Sequence, residues 1–200
     1  MNIALFDFDG TITNEDTYTK FIFYSTSKVR LAIGLLLVFP VIFLYKMGLL
    51  SAARTRPILT KVAFWNRNKE KVMKVAKEYA SLYLPSVIRD NAMERIIWHK
   101  NQGDMVFVVS ASLDVYLSFW CEMHGLKLIC SELESENNKY TGNYVSGDCC
   151  GENKVKFIKN NVDISKYSSV FAYGDTEEDL PMLEMAHIKY YQWSEVINPA

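Results

Sequence analysis

The sequence predicts an α/β fold: a doubly wound, mainly parallel sheet with helices on both faces and a helical segment inserted after the first strand. Three observations carry this. Four short, largely apolar runs end in polar clusters: residues 3–6 in Asp7-Phe8-Asp9-Gly10-Thr11, 105–109 in Ser110-Ala111-Ser112, 126–130 in Ser131, and 170–173 in Gly174-Asp175-Thr176. Runs without strict alternation suit central strands covered on both faces. Helical patterns fill the intervals, and strand–helix alternation implies parallel pairing. Residues 15–84 interrupt that rhythm with several helices, so residues 1–14 and 85–200 are expected to form the core domain, with 15–84 as a helical cap subdomain.

The first strand, Ile3-Ala4-Leu5-Phe6, runs into two acids two residues apart. Alternation would put Asp7 and Asp9 on one side, where like charges repel unless something requires both. In the cap, residues 31–45 read LAIGLLLVFPVIFLY, without a charge and flanked by Lys28, Arg30 and Lys46. Fifteen helical residues reach roughly 22 Å, less than the ~30 Å hydrocarbon core of a bilayer, and Pro40 disturbs a helix interior. The expectation is a helix buried within the protein; peripheral contact with a membrane surface is the alternative, ahead of a span. Residues 69–84 also read as a helix.

Ile88, Ala92 and Ile96 followed by His99-Lys100 and Gly103 give a helix over 88–100, and residues 113–124 give another, stopped by Gly125. Residues 131–150, with Asn137-Asn138 and Thr141-Gly142-Asn143, suggest a β-hairpin or extended excursion. Lys154 opens a helix over 154–160. Thr176-x-x-Asp179 resembles a capping box, with Pro181 in an early helical turn.

Composition narrows the class. Two hundred residues, half of them apolar and 22% charged, suit one globular domain with an insertion. A net charge of −1 offers no basic field for nucleic acid. Cys121, Cys130, Cys149 and Cys150 form no Cys-x-x-Cys pair, and a reduced, cytoplasmic chain without a signal peptide is the simplest expectation. Cys149-Cys150 read as small loop residues, with a vicinal thiol pair as the rarer option. His99, His124 and His187 stand in unrelated contexts and are expected in surface or core roles.

In a doubly wound sheet the strand ends gather at one edge, where ligands bind. Asp7, Asp9, Ser110 and Asp175 should meet there, with Lys154 and Asp179 nearby. Four carboxylates against one lysine cannot receive a phosphate dianion without a cation, and Mg²⁺ suits such oxygen ligands. Asp7 can then attack phosphorus, Asp9 can serve as acid and base, and Ser110 and Lys154 can hold phosphoryl charge. A bland role exists for each residue singly: a turn at Asp9-Gly10, a strand-end hydroxyl at Ser110, a solvated Lys154, a capping Asp179.

These residues resemble the four motifs of the haloacid dehalogenase (HAD) superfamily of phosphatases: Asp7-Phe8-Asp9-Gly10-Thr11, Ser110 after Val108-Val109, Lys154, and Gly174-Asp175-Thr176-Glu177-Glu178-Asp179. The resemblance covers nearly the whole chain and implies the Rossmann-like HAD fold. The inserted helices resemble a type-one cap, and residues 109–114 are similar to subfamily IB, the phosphoserine-phosphatase-like group. It implies that Asp7 is the nucleophile and Asp9 the general acid/base. It also implies that Asp7, the Asp9 main chain and Asp175 hold Mg²⁺, that Asp179 is supporting, and that Thr11, Ser110 and Ala111 lie against the substrate.

Asp16 falls where a glutamate reads the substrate ammonium in phosphoserine phosphatases, with a helix N-cap as its rival role. Arg54 or Arg56 falls where those enzymes read a carboxylate. Gly10 and Ala111 replace residues common in that group, which points away from phosphoserine. The apolar cap segment is similar to C-type phosphatidylglycerophosphate phosphatases. The implied partner is therefore a small phosphorylated metabolite, with a lipid phosphate at the inner face of the membrane as the alternative. A phosphotransferase and a phospho-acceptor signalling module are the rival functions.

Overall fold

Residues 1–196 are described by the structure, a computed structural model. Along the chain, β1 (Ile3–Phe6) is followed by α1 (Thr17–Ser25), α2 (Lys28–Lys46), α3 (Ala52–Phe64), the two-residue β2 (Arg67–Asn68) and α4 (Lys69–Glu78). Next come α5 (Asp90–Asn101), β3 (Met105–Leu113), α6 (Asp114–His124), β4 (Lys127–Ser131) and the hairpin β5 (Leu133–Glu136) and β6 (Lys139–Tyr144). The chain continues through α7 (Glu152–Asn161), β7 (Val170–Gly174), α8 (Leu180–Glu184), β8 (Ile188–Tyr191) and β9 (Ser194–Glu195).

β1 lies inside a six-stranded sheet of order β4-β3-β1-β7-β8-β9, parallel except at β9. Ile3 pairs with Met105 on one side and Val170 on the other. Both faces of β1 are covered. Ile3 and Leu5 pack with Val109 and Ile158, while Ala4 and Phe6 pack with Val108 and Tyr173. That is why its sequence is apolar rather than alternating. Gly125 ends α6 in the left-handed region at φ 64, and Asn137 and Asn138, both at positive φ, turn the hairpin.

The helical insertion leaves and returns at one place, where Thr13 bridges Ile88. It is not helical throughout. Arg67 and Asn68 pair antiparallel with Tyr140 and Lys139, so insert and hairpin share a three-stranded sheet of order β2-β6-β5. A two-residue strand leaves no periodic signal, so sequence could not announce this pairing. The expected helix over 69–84 is α4, followed by a wider turn over Tyr79–Tyr83.

The expectation of a buried apolar helix is overturned. α2 runs for 19 residues with Pro40 inside it, and Val38 alone among them is buried. Leu36 is 78% and Phe39 65% exposed. Its packed face meets α3, with Val62 close to Gly34. A helix apolar all round carries no mark of how many faces its neighbours will cover.

Candidate active site

β1 stops at Phe6, so Asp7 and Asp9 reach one side by a turn and not by strand alternation. Phe8 is buried against Trp120, ring centroids 5.1 Å apart, and anchors the loop between them. Gly10 follows at φ +84, and a β-carbon there would come within 2.1 Å of Asp175 Oδ2. Backbone conformation and close approach both demand glycine.

Lys154, in the first turn of α7, is 2% exposed. Its ammonium donates to Asp7 Oδ1 and Asp179 Oδ1, each at 2.5 Å. The other oxygen of Asp179 accepts from the backbone N–H groups of Asp175 and Thr176 and from the Thr176 hydroxyl, each at 3.1 Å. The capping box is therefore real, and it aims Asp179 at Lys154.

Asp9 is held apart from that cluster. Its Oδ1 accepts from the Thr17 backbone N–H at 2.7 Å and the Thr17 hydroxyl at 2.5 Å, and its Oδ2 accepts from the Ser112 hydroxyl. With its proton given to Asp9, the Thr17 hydroxyl accepts from Tyr116, 3.0 Å away.

One ammonium cannot neutralise every acid present. Burial works against the charge on Lys154, but Asp7 and Asp179 hold it protonated well above the ordinary lysine range. Burial pushes Asp179 up, yet Lys154 and the amide donors outweigh it and keep that carboxyl below the usual range. Asp7 goes the other way, raised first by burial and then by Asp179, with Lys154 only partly offsetting. Burial, then Asp179, also raises Asp175. Asp9 is pushed up to about 6 by burial and by Asp16.

Carboxylate oxygens of Asp7, Asp175 and Asp179 lie within 4.8 Å of one another. Three hard oxygen donors against one ammonium fit a divalent cation such as Mg²⁺. The Asp9 carboxylate stands outside this group, occupied by Thr17 and Ser112.

These groups line a cavity of about 530 Å³ between the sheet edge and the insert. Ser110 and Ala111 are on its wall, and the Ser110 hydroxyl accepts from the Ser112 N–H at 3.0 Å. Thr11 is buried beside it and donates to Asp175 Oδ1 at 3.1 Å. Asp16 takes the N-cap role, accepting from Thr19 N–H at 3.0 Å at the start of α1, and it also lines the cavity. Arg56 reaches the cavity but is engaged by Asp148, at 2.9 Å, and by Glu178. Arg54 does not reach it. It is exposed on α3, because two residues along a helix turn a side chain about 200° away.

Sequence reasoning missed Thr17, Ser112, Asp148 and Glu178. Ser112 had a signal: it lies two residues beyond Ser110, on the same side of a strand. Asp148 and Glu178 had none, since their role depends on where Arg56 lands. Cys149 and Cys150 are buried free thiols, pushed up by burial to about 12. His99 is a buried core residue.

A family model described as haloacid dehalogenase-like hydrolase matches residues 4–184. Protein CicA of Caulobacter vibrioides is 26% identical over 202 residues, covering 95% of this chain and 85% of that one. A histidinol-phosphatase of Neisseria meningitidis serogroup C is 24% identical over 211 residues, covering 92% and 86%. A substrate-bound phosphoserine phosphatase structure superposes with a TM-score of 0.67 at 21% identity, covering 95% of this chain and 85% of the other. That last likeness speaks for the fold.

Proposed function

The chain belongs to the haloacid dehalogenase-like hydrolase family, and on that premise we propose that it is a phosphatase, cleaving a phosphate monoester through an aspartyl-phosphate on Asp7. The observation that carries this is the separation of the two acids at the strand end. Asp7 shares Lys154 with Asp179 beside Asp175, while Asp9 is held independently by Thr17 and Ser112. Two carboxylates in different environments can hold different protonation states. The histidinol-phosphatase relative adds support for phosphate esters as substrates.

Asp7 Oδ attacks phosphorus and the bond from phosphorus to the ester oxygen breaks. Asp9, with its carboxyl pushed up to about 6, gives its proton to the departing oxygen. A water molecule then attacks the phosphorus of the aspartyl-phosphate, Asp9 takes a proton from it, and inorganic phosphate leaves as Asp7 is regenerated. Lys154 holds Asp7 in place and offsets charge on the phosphoryl group. Ser110 lies on the cavity wall where a phosphoryl oxygen can be gripped. Asp7 and Asp175, with Asp179 adjoining, would hold Mg²⁺, which would supply electrostatic compensation for the incoming phosphate.

Thr17 and Ser112 orient Asp9, and Tyr116 orients Thr17. Arg56 ties the insert to Asp148 and Glu178, so the chemistry takes place beneath a fastened cover that limits access of bulk water.

The test is release of phosphate from p-nitrophenyl phosphate with Mg²⁺ and with EDTA. Wild type should turn over only with Mg²⁺, and Asp7→Asn should lose activity entirely. Equal rates for wild type and Asp7→Asn would sink the assignment of the nucleophile.

A further inference from the structure

We propose that the helical insert is a docking surface for an anionic lipid bilayer, with α2 lying in the interface plane and the mouth of the active-site cavity at its C-terminal end. The partner is a lipid surface, chosen by four features of the insert.

The first is the apolar surface of α2. Val29, Ile33, Leu36, Leu37, Phe39 and Phe43 are all exposed on one continuous helix. Unpartnered apolar surface of this extent marks an interaction site.

The second is charge. Between Asp16 and Glu70 the chain has nine Lys or Arg residues and no Asp or Glu, although the whole protein has a net charge of −1. Lys28 and Lys46 stand exposed at the two ends of α2, and Arg54 is exposed on α3. A basic, apolar surface complements anionic headgroups over acyl chains. A second copy of the same surface would meet like charge.

The third is the placement of aromatic residues. Trp65 is exposed, and its carbonyl accepts from Arg30 in the first turn of α2; Tyr45 is exposed at the other end. Amphipathic rings at both ends suit the headgroup level of a membrane interface.

The fourth is topology. α2 spans about 28 Å at 1.5 Å per residue, enough by length to approach a crossing. Yet β1 before it and β3 after it pair in the same sheet. A crossing would need a second span to return, and among the described residues only α2 is long and apolar enough. The helix therefore lies on the surface.

Ile42, Tyr45 and Lys46 of α2 also line the cavity that holds Asp7 and Asp9. Docking through α2 sets that cavity against the lipid headgroups, where membrane-borne phosphate esters can enter. Only this consequence rests on the phosphatase assignment; the docking itself does not.

Flotation with phosphatidylcholine vesicles, with and without one-third phosphatidylglycerol, tests the proposal on the full chain. Wild type and Asp7→Asn should float alike with the anionic vesicles, at least tenfold less with phosphatidylcholine alone, and should detach in high salt. Leu36→Glu/Phe39→Glu, which alters exposed positions outside the cavity, should abolish flotation while keeping hydrolysis of p-nitrophenyl phosphate. Absence of wild-type flotation with either vesicle would overturn the proposal. So would flotation unchanged in the double variant, or a dimer in solution that this variant dissolves without any vesicle binding. Flotation of a wild-type protein unable to hydrolyse the soluble ester with Mg²⁺ would leave the docking intact and overturn the phosphatase assignment instead.

Discussion

Lys154 and Leu36 illustrate two opposite ways of placing a side chain. Lys154 is a charge buried beneath the sheet edge, and two carboxylates reach it at 2.5 Å. Leu36 is an apolar side chain on α2, 78% exposed and with little of the protein against it. At the active site buried polar groups find partners at fixed places within the chain: Asp179 has Lys154 and two amides, and Asp9 has Thr17 and Ser112. On α2 the answer lies outside the chain. Charge in a low-dielectric interior demands partners at fixed short distances, whereas apolar surface demands only removal from water and accepts any apolar phase.

Substitutions should separate the two regions by size of effect. Lys154→Ala should be the most damaging. It leaves Asp7 and Asp179 buried without their cation, and about 3–5 kcal/mol of stability should be lost. Urea unfolding reads this directly; a loss below about 1 kcal/mol would mean that Lys154 is not the compensating charge.

Thr17→Val should act on turnover more than on folding. It removes one hydroxyl donor from Asp9 and keeps the backbone N–H. The expected cost is about tenfold in kcat, corresponding to a hydrogen bond worth about 1.4 kcal/mol. An unchanged rate would show that Asp9 needs no fixed orientation.

Farther from the cavity, His99 carries the interior rule into pH dependence. Its Nδ1 donates to Asp104 and its Nε2 accepts from the Tyr173 hydroxyl, each at 2.9 Å. Burial lowers the His99 pKa, with Asp104 pulling the other way. The unfolded chain thus binds the proton more readily than the folded one. Stability is fully present above the unfolded histidine value of about 6.5 and is lost as pH falls below it toward the folded pKa. Raised carboxyls such as Asp7 and Asp9 bind protons more readily when folded and act in the opposite sense over this range. The readout is therefore the difference: from pH 7.5 to pH 5.5 the melting temperature of wild type should fall relative to that of His99→Gln.

The smallest effect should come from α2. Leu36→Ser removes a large apolar side chain yet should shift stability in vesicle-free buffer by no more than about 0.5 kcal/mol. A loss of 2 kcal/mol would place Leu36 in a packed contact and erase the contrast with Lys154.

Much of the site was readable because strand ends in a parallel α/β fold have only one edge at which to meet. Asp7, Asp9, Ser110, Lys154 and Asp175, scattered over the chain, all line one cavity. The local chemistry of Gly10, Gly125, Asn137-Asn138 and Thr176-x-x-Asp179 was equally readable, since each depends on a few neighbouring residues. The insert was read less well. Arg54 and Arg56 are two residues apart and equivalent in sequence, yet only Arg56 meets Asp148 and Glu178, 92 and 122 positions away.

Local sequence by itself determined the alternating strands and helices, the turns, and the polar residues that finish each strand. Period, capping and backbone sterics act over a handful of residues, so they leave a mark in the chain. Tertiary structure alone decided which arginine fastens the insert, how Asp9 is split from Asp7, that β2 joins the hairpin, and that α2 keeps its apolar surface outside. Those outcomes depend on which distant side chains come within a few ångströms. Burial, and with it the raised proton affinity of Asp7, Asp9 and Asp175, exists only once they have.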